Sequence, residues 1–176
     1  MTSMLRADLL ERLERLDEDA SLMFDGDDRF HLVIVGGSAL ILLERISRAT
    51  HDVDAISASR EILDLLEKYD INCRVQTYIN NFPYNYEDRL VPLHVGGRRI
   101  DFYCVSLEDI VIAKLYSSRS TDAQDVANEK VIEAIDWKLL EKLAINEDEA
   151  RASALNDRCY ADFKANYKDY VRRFCP

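Results

Sequence analysis

The N-terminal part of the chain carries apolar residues at helical spacing. Leucines recur every three or four positions, at Leu5, Leu9, Leu13 and Leu16. Charged residues fill most positions between them, so the pattern predicts an amphipathic helix with one buried stripe. Residues 31–35 (HLVIV) instead form a continuous apolar run. Such a run is typical of a strand that is covered on both faces.

Short apolar runs in the next part of the chain predict alternating helices and strands. A helix is expected at residues 39–46, and strands are expected at residues 52–56 and 75–79. Ser59 can cap a further helix, whose buried side comes from the Ile and Leu residues that follow it.

Two more strands are predicted at residues 90–95 and 98–105. The Gly96-Gly97 pair between them is a strong hairpin signal, because hairpin turns need residues that adopt positive φ.

The pattern is helical from about Ser106 almost to the C-terminus. This order of elements predicts an α/β or α+β domain with a mixed central sheet and flanking helices. We expect a core at residues 1–105 and a C-terminal helical region at residues 106–176 that packs on the core.

Composition and charge narrow the classes of protein. The 176 residues are 48% hydrophobic and 32% charged, which is typical of a soluble globular protein, and no apolar run is long enough to span a membrane. The charged N-terminus does not resemble a secretory signal, so the expected location is the cytoplasm.

The net charge of −10 disfavours broad nonspecific binding to nucleic acid. The four cysteines lack the spacing of zinc ligands and predict reduced thiols.

Gly36, Gly37 and Ser38 lie between the first predicted strand and the helix that follows it. A glycine pair lets the backbone turn sharply and lets a ligand approach closely. The first amides of the helix and the Ser38 hydroxyl can donate hydrogen bonds to an anion. The segment is therefore a candidate phosphate-binding turn, and the alternative is one of the many Gly-Gly turns that bind no ligand.

Asp52 and Asp54 are two positions apart in a predicted strand. Alternate side chains share one face of a strand, which would place these carboxylates about 6–7 Å apart along the chain. Two such charges repel each other, and a divalent cation relieves the repulsion; Mg²⁺ favours carboxylates together with substrate phosphates. The alternative is a strand that starts at Asp54, with Asp52 in a loop.

Asp101 lies in another predicted strand, between Ile100 and Phe102. If these two apolar neighbours face the core, Asp101 faces the other way. A strand beside the Asp52 strand would then supply a third carboxylate and complete a site for two metal ions. The alternative is a surface Asp that pairs with a neighbouring Arg.

These residues together resemble a known signature. Residues 35–56 (VGGSALILLERISRATHDVDAI) look like the motif of the DNA polymerase β-type nucleotidyltransferase superfamily, in which Gly-Gly or Gly-Ser precedes an Asp-x-Asp strand. The form Arg48-x-Thr50-x-Asp52-x-Asp54 looks most like the AbiEii-type toxins of type IV toxin–antitoxin systems and related uncharacterised bacterial nucleotidyltransferases. The resemblance implies a nucleotidyltransferase fold.

The resemblance also implies roles for residues at matching positions. Asp52 and Asp54 would bind metal ions, and Asp101 would bind a second ion and help activate the attacking hydroxyl. Lys114 would reach a phosphate or the charge of the transition state. The nucleotide-binding set that it implies is Gly36, Gly37, Ser38, Thr50, Arg119 and Asp122. The implied cofactor is Mg²⁺ or Mn²⁺, and the implied substrate is a nucleoside triphosphate such as ATP.

A second match lies downstream. Residues 106–126 (SLEDIVIAKLYSSRSTDAQDV) are similar to the helix of that group with Lys, Arg and Asp-x-x-Asp. Arg119, Asp122 and Asp125 match the motif, and the alternative is that they form an ion-pair network that fixes the helix.

The last predicted helix carries an aromatic stripe at steps of three and four, formed by Tyr160, Phe163, Tyr167, Tyr170 and Phe174. Such a stripe is typical of a helix that packs on its own domain. The alternative is an interface with a partner protein or with a second copy in a homodimer.

The leading hypothesis is therefore Mg²⁺-dependent transfer of a nucleoside monophosphate from a nucleoside triphosphate to a hydroxyl. A tRNA 3′ end, a protein side chain and a small molecule are the candidate acceptors. The toxin-like resemblance also implies a cognate antitoxin as a partner. The alternative is a nucleotide- or partner-binding module of the same fold that does not catalyse transfer.

Overall fold

The computed structural model of the chain, which describes residues 4–73 and 79–176, contains a mixed five-stranded sheet. The strands are β1 (Phe30–Val35), β2 (Val53–Ala58), β3 (Ile71–Asn72), β4 (Val91–Leu93) and β5 (Ile100–Cys104). They lie in the order β3-β2-β1-β5-β4. β1 is antiparallel to β2 and parallel to β5, β3 is parallel to β2, and β4 is antiparallel to β5. The mixed sheet and the β4–β5 hairpin confirm the prediction, whereas the strand predicted at residues 75–79 falls, apart from Ile79, outside the described residues.

The chain divides into two compact units. The first comprises Met1–Gln76 and Leu90–Val105 and contains the sheet, and the second comprises Thr77–Arg89 and Ser106–Pro176.

Three α-helices accompany the sheet in the described part of the first unit. They are α1 (Arg6–Met23), α2 (Gly36–Leu42) and α3 (Leu63–Lys68), and a short 3₁₀ helix (Arg60–Ile62) precedes α3. α1 buries its leucine stripe completely except for Leu5, which precedes the helix and stays exposed. The sheet contributes fully buried side chains such as Leu32 and Phe102. Burial of each such side chain stabilises the fold by about 1.5–3 kcal/mol.

A buried carboxylate joins α1 to the β4–β5 hairpin. Asp17 accepts hydrogen bonds from the backbone amides of Arg98 (2.8 Å), Arg99 (2.8 Å) and Ile100 (2.7 Å). Gly96 adopts a φ of 60°, and a Cβ atom there would lie 2.8 Å from Asp17 Oδ2. The turn therefore needs glycine both for its backbone conformation and for the approach of this carboxylate.

The described part of the second unit is helical. Its α-helices are α4 (Leu107–Leu115), α5 (Ser120–Val126), α6 (Glu129–Ala134), α7 (Trp137–Glu141), α8 (Glu149–Ser153) and α9 (Asp157–Phe174). A 3₁₀ helix covers Tyr86–Arg89, and a π-helical turn covers Lys142–Asn146. Among the described residues, no helix combines the length and the apolar character that crossing a membrane requires.

The aromatic stripe of α9 packs inside the second unit. Tyr160, Phe163, Tyr167 and Tyr170 are buried. The ring of Phe163 stacks on Tyr116 with centroids 4.4 Å apart, and the Tyr170 hydroxyl donates to the carbonyl of Val126 at 2.8 Å. These contacts confirm that the stripe serves the core of its own unit, and a homodimer through this helix stays a prediction.

Candidate active site

The candidate site lies where β1 ends and α2 begins. Val35, the last residue of β1, pairs with Asp54 of β2. Gly36 follows with a φ of 68°, and a Cβ atom at this glycine would lie 3.8 Å from Asp54 Oδ2. The positive φ lets the backbone pass from the strand directly into the helix, which therefore begins three residues earlier than the predicted residue 39. The structure thus brings the glycine turn and one predicted carboxylate together.

A bulge in β2 determines which way Asp54 points. Val33 pairs with Ser57, but Ile34 pairs with Ala55, so Ile56 has no partner in the ladder. In a regular ladder Val35 would pair with Ala55. The side chain of Asp54 would then point to the face of the sheet opposite that of Val35. The extra residue shifts the pairing by one position and turns the Asp54 side chain to the face of Val35.

Asp52 is exposed and lies one residue before β2, which begins at Val53, so the strand includes Asp54 but not Asp52. The buried Thr50 hydroxyl lies 3.3 Å from Asp52 Oδ1 and 3.2 Å from its carbonyl oxygen. Two backbone hydrogen bonds to Met4, of 2.7 and 2.9 Å, hold Thr50 itself. The Thr50 hydroxyl thus contacts both the carbonyl and the carboxylate of Asp52, and its role in nucleotide binding stays a prediction.

Asn72 lies at the candidate site, although no sequence pattern pointed to it. It pairs with Asp54 across the β2–β3 ladder, and its Nδ2 donates to Asp54 Oδ1 at 3.1 Å. The carboxylate of Asp54 is thus oriented from the neighbouring strand. A lone Asn gives no signal of this role, because the contact depends on the pairing of β3 with β2.

Ser38 begins the helix with its side chain turned inward. Its hydroxyl donates to the carbonyl of Val35 at 3.0 Å, and the residue is buried. The hydroxyl proton is therefore used within the protein in this structure. Gly36 and Gly37 are the partly exposed members of the predicted turn.

Asp101 lies far from Asp54, which corrects the predicted arrangement of three carboxylates. β1 separates β5 from β2, and Asp101 pairs with His31 whereas Asp54 pairs with Val35. Four residues along β1 correspond to about 13 Å at ~3.3 Å per residue. Ions that share one two-metal centre lie only about 3.5–4 Å apart. Asp101 therefore does not complete a site with Asp54.

The surroundings of Asp101 explain its conformation. Its carboxylate forms a two-point ion pair with the guanidinium of Arg29. The hydrogen bond from Arg29 holds the pKa of Asp101 below its usual range. This is the surface ion pair that the sequence analysis kept as the alternative, with Arg29 as the partner.

The β5 position that lies beside Val35 is apolar. Cys104 pairs with Ile34, and the amide of Val105 donates to the Ile34 carbonyl at 3.2 Å, so Val105 continues the register opposite Val35. Val105 is completely buried. β5 therefore offers no carboxylate next to the end of β1.

As ligands, Asp52 and Asp54 would suit one Mg²⁺ ion better than two. They would supply carboxylate oxygens, and Mg²⁺ is commonly held by one or two carboxylates together with substrate phosphates. Within residues 4–73 and 79–176, no group of three or more His, Cys, Asp or Glu side chains is arranged to hold a metal ion. A second ion bound through Asp101 does not fit this geometry.

The downstream motif forms a buried ion-pair network in the second unit. The ammonium of Lys114 donates to Asp122 (2.5 Å) and to Asp125 (2.9 Å), and all three side chains are buried. Arg119, which is exposed, donates to Asp122 from the start of α5 at 2.8 Å. Burial by itself would raise the pKa of Asp122, but the hydrogen bonds from Arg119 and Lys114 outweigh it and hold that pKa well below its usual range. This geometry supports the alternative in which these residues fix the helices.

Asp109 is a further buried carboxylate of this unit, and no sequence motif predicts its role. Asp109 of α4 forms a two-point ion pair with Arg89 at 2.8 and 2.9 Å, and it accepts a hydrogen bond of 2.7 Å from Ser106. Arg89 comes directly before the strand predicted at residues 90–95, and local pattern does not indicate a partner as distant as Asp109.

Comparison with known protein families finds a match over most of the chain. The model of a family described as "Nucleotidyltransferase of unknown function (DUF6036)" matches residues 11–175. No curated protein and no solved structure matches the chain significantly.

Proposed function

The chain belongs to this family of nucleotidyltransferases of unknown function, and we propose that it transfers a nucleoside monophosphate from a nucleoside triphosphate to a hydroxyl group. The observation that carries the proposal is the position of Asp54 beside Gly36. Its Oδ2 atom lies 3.8 Å from the point that a Cβ atom at Gly36 would occupy. This position brings a carboxylate for a cation and an accessible backbone turn for phosphates to one point at the end of β1.

The reaction is a displacement at the α-phosphorus. The acceptor oxygen forms a bond to this atom, the bond to the oxygen that bridges the α- and β-phosphates breaks, and pyrophosphate leaves while the hydroxyl proton passes to solvent. Asp52 and Asp54 would hold one Mg²⁺ together with phosphate oxygens. When bound, this ion neutralises charge on the phosphates during transfer.

The supporting residues keep the two carboxylates in place. Thr50 restrains Asp52, and Asn72 restrains Asp54, so neither carboxylate has to be ordered when the substrate binds. The absence of a side chain at Gly36 lets the triphosphate approach the backbone of the turn. Asp101 has no role in this proposal, and Lys114 acts through the buried network of its own unit.

The proposed acceptor of the nucleoside monophosphate is either a macromolecule or a small molecule. The motif that resembles AbiEii-type toxins favours a macromolecule, such as a tRNA 3′ end or a protein side chain, whereas the net charge of −10 favours a small molecule. A toxin would also have a cognate antitoxin as its partner.

A labelling experiment tests transfer and identifies the acceptor together. The protein is incubated with Mg²⁺ and each α-³²P-labelled nucleoside triphosphate, with total RNA, cell protein or a small-molecule extract as the acceptor. Label in one fraction with wild type, and not with Asp52→Ala, is the expected result. Label that is absent from every fraction, or equal for both proteins, contradicts the proposal.

One observation favours a second candidate function. Because Val105, the residue after β5, lies beside the end of β1, the site has two carboxylates where the superfamily signature implies three. A nucleotide-binding module without catalysis would need no third carboxylate. This candidate predicts saturable, Asp54-dependent binding of nucleoside triphosphate with no transfer of label to any fraction.

A further inference from the structure

The guanidinium of Arg48 lies against the backbone of Gly37. A Cβ atom at Gly37 would be 2.6 Å from Arg48 Nη2, 3.4 Å from Cζ and 3.6 Å from Nη1. The Arg48 residue is exposed, and its Nη1 also donates to the carbonyl of Ala49 at 3.2 Å. The missing side chain of Gly37 therefore makes the space that the guanidinium occupies.

Consecutive glycines of the turn thus contact groups of opposite charge. Gly36 lies beside the carboxylate of Asp54, and Gly37 lies beside the guanidinium of Arg48. A carboxylate suits a cation, whereas the planar guanidinium donates paired hydrogen bonds to phosphate oxygens. The turn therefore offers adjacent places for the two components of a metal–polyphosphate complex.

We propose that Arg48 binds the β- and γ-phosphates of the nucleoside triphosphate, the part that leaves as pyrophosphate. This inference rests on the proposed function. The α-phosphate must lie near Asp52 and Asp54 for transfer, so the remaining phosphates extend over the next residue of the turn, Gly37, where Arg48 lies. There its positive charge stabilises the negative charge that develops on the leaving group.

Gly37 and Arg48 then act as a pair. A methyl group at Gly37 meets the end of the flexible Arg48 side chain and displaces it, whereas the backbone conformation of Gly37 needs no positive φ. Gly37→Ala and Arg48→Gln should therefore weaken the same interaction, and their effects should not add.

Equilibrium binding separates this role from a structural one and does not depend on turnover. Affinities for each of the four common nucleoside triphosphates, and for the matching monophosphate, are measured by calorimetry with Mg²⁺. Wild type should bind the triphosphate more tightly than the monophosphate. Arg48→Gln should weaken triphosphate binding about 10- to 100-fold and leave monophosphate binding unchanged. The triphosphate affinity of Arg48→Lys should lie between those of wild type and Arg48→Gln, because an ammonium keeps the charge without the paired donors.

Arg60→Gln is the matched control, since Arg60 is exposed in the 3₁₀ helix after β2, and it should bind like wild type. An equal loss of triphosphate and monophosphate affinity in Arg48→Gln, or no loss of either, overturns the role of Arg48 and leaves the proposed function standing. Wild type that binds no nucleoside triphosphate overturns both.

Discussion

Asp54 shares a sheet face with Val35 because the β1–β2 ladder contains one extra residue, Ile56. The bulge turns the carboxylate towards the place where β1 runs into the Gly36 turn. Bulges often occur next to active sites, where they redirect a side chain. The position of Asp54 therefore depends on an irregularity of the sheet and not on the alternation of the strand alone.

Thr50 should affect catalysis through Asp52. Thr50→Val keeps the shape of the side chain and removes the hydroxyl that lies 3.3 Å from Asp52 Oδ1. Because the carboxylate loses an orienting partner, we expect transfer activity to fall about 10- to 100-fold and more Mg²⁺ to be required for half-maximal rate. Thr121→Val, at an exposed position of α5, is the control and should leave both quantities unchanged. Unchanged metal dependence in Thr50→Val would show that Thr50 does not position Asp52.

Lys114 should contribute mainly to stability. Lys114→Met leaves Asp122 and Asp125 buried without the ammonium that lies between them. Removal of one partner from a buried ion pair typically lowers the free energy of unfolding by about 3–5 kcal/mol. Urea unfolding at pH 7 measures this loss, and Lys130→Met, at an exposed position of α6, should change the free energy by less than about 0.5 kcal/mol. A Lys114→Met protein of normal stability that has lost transfer would instead support the phosphate-binding role that the sequence resemblance implies.

The ion pair should also make stability depend on pH. Because the folded state holds the pKa of Asp122 below its usual range, the unfolded state binds more protons below about pH 4. The stabilisation from Asp122 is thus complete above the unfolded pKa near 3.9 and is lost as the pH falls towards the folded value. Free energies of unfolding of wild type and Asp122→Asn should differ most at pH 5–7 and converge below pH 4. A difference that stays constant from pH 7 to pH 3 would contradict this assignment.

The parts of the site that are local in sequence could be predicted from the sequence. The apolar run of residues 31–35 and the glycines after it specify a strand and a turn through neighbouring residues alone. The spacing of Asp54 after the glycines predicts a carboxylate for the site from nearby residues, whereas the sheet face that Asp54 occupies depends on the bulge in β2. The helical stripe of α9 was also predictable, because its period is set within one helix.

The parts that depend on strand pairing could not be predicted. The alternation of its own strand predicts Asp101 at the site, yet the distance of Asp101 from Asp54 depends on strand order and on the register of β5 against β1. The contact from Asn72 depends in the same way on the pairing of β3 with β2. Register is set by contacts between distant segments, and a single sequence carries little trace of them.

A matched pair of variants tests the location of the active centre most directly. Asp54→Asn and Asp101→Asn each replace one carboxylate by an amide of nearly the same shape, one beside the Gly36 turn and the other about 13 Å along β1. Transfer of α-³²P label with Mg²⁺ is measured for both variants and wild type under identical conditions. We predict that Asp54→Asn loses activity by about 100-fold or more, because a ligand of the ion is removed, and that Asp101→Asn keeps wild-type activity. Loss of transfer in Asp101→Asn, or full activity in Asp54→Asn, would contradict the account.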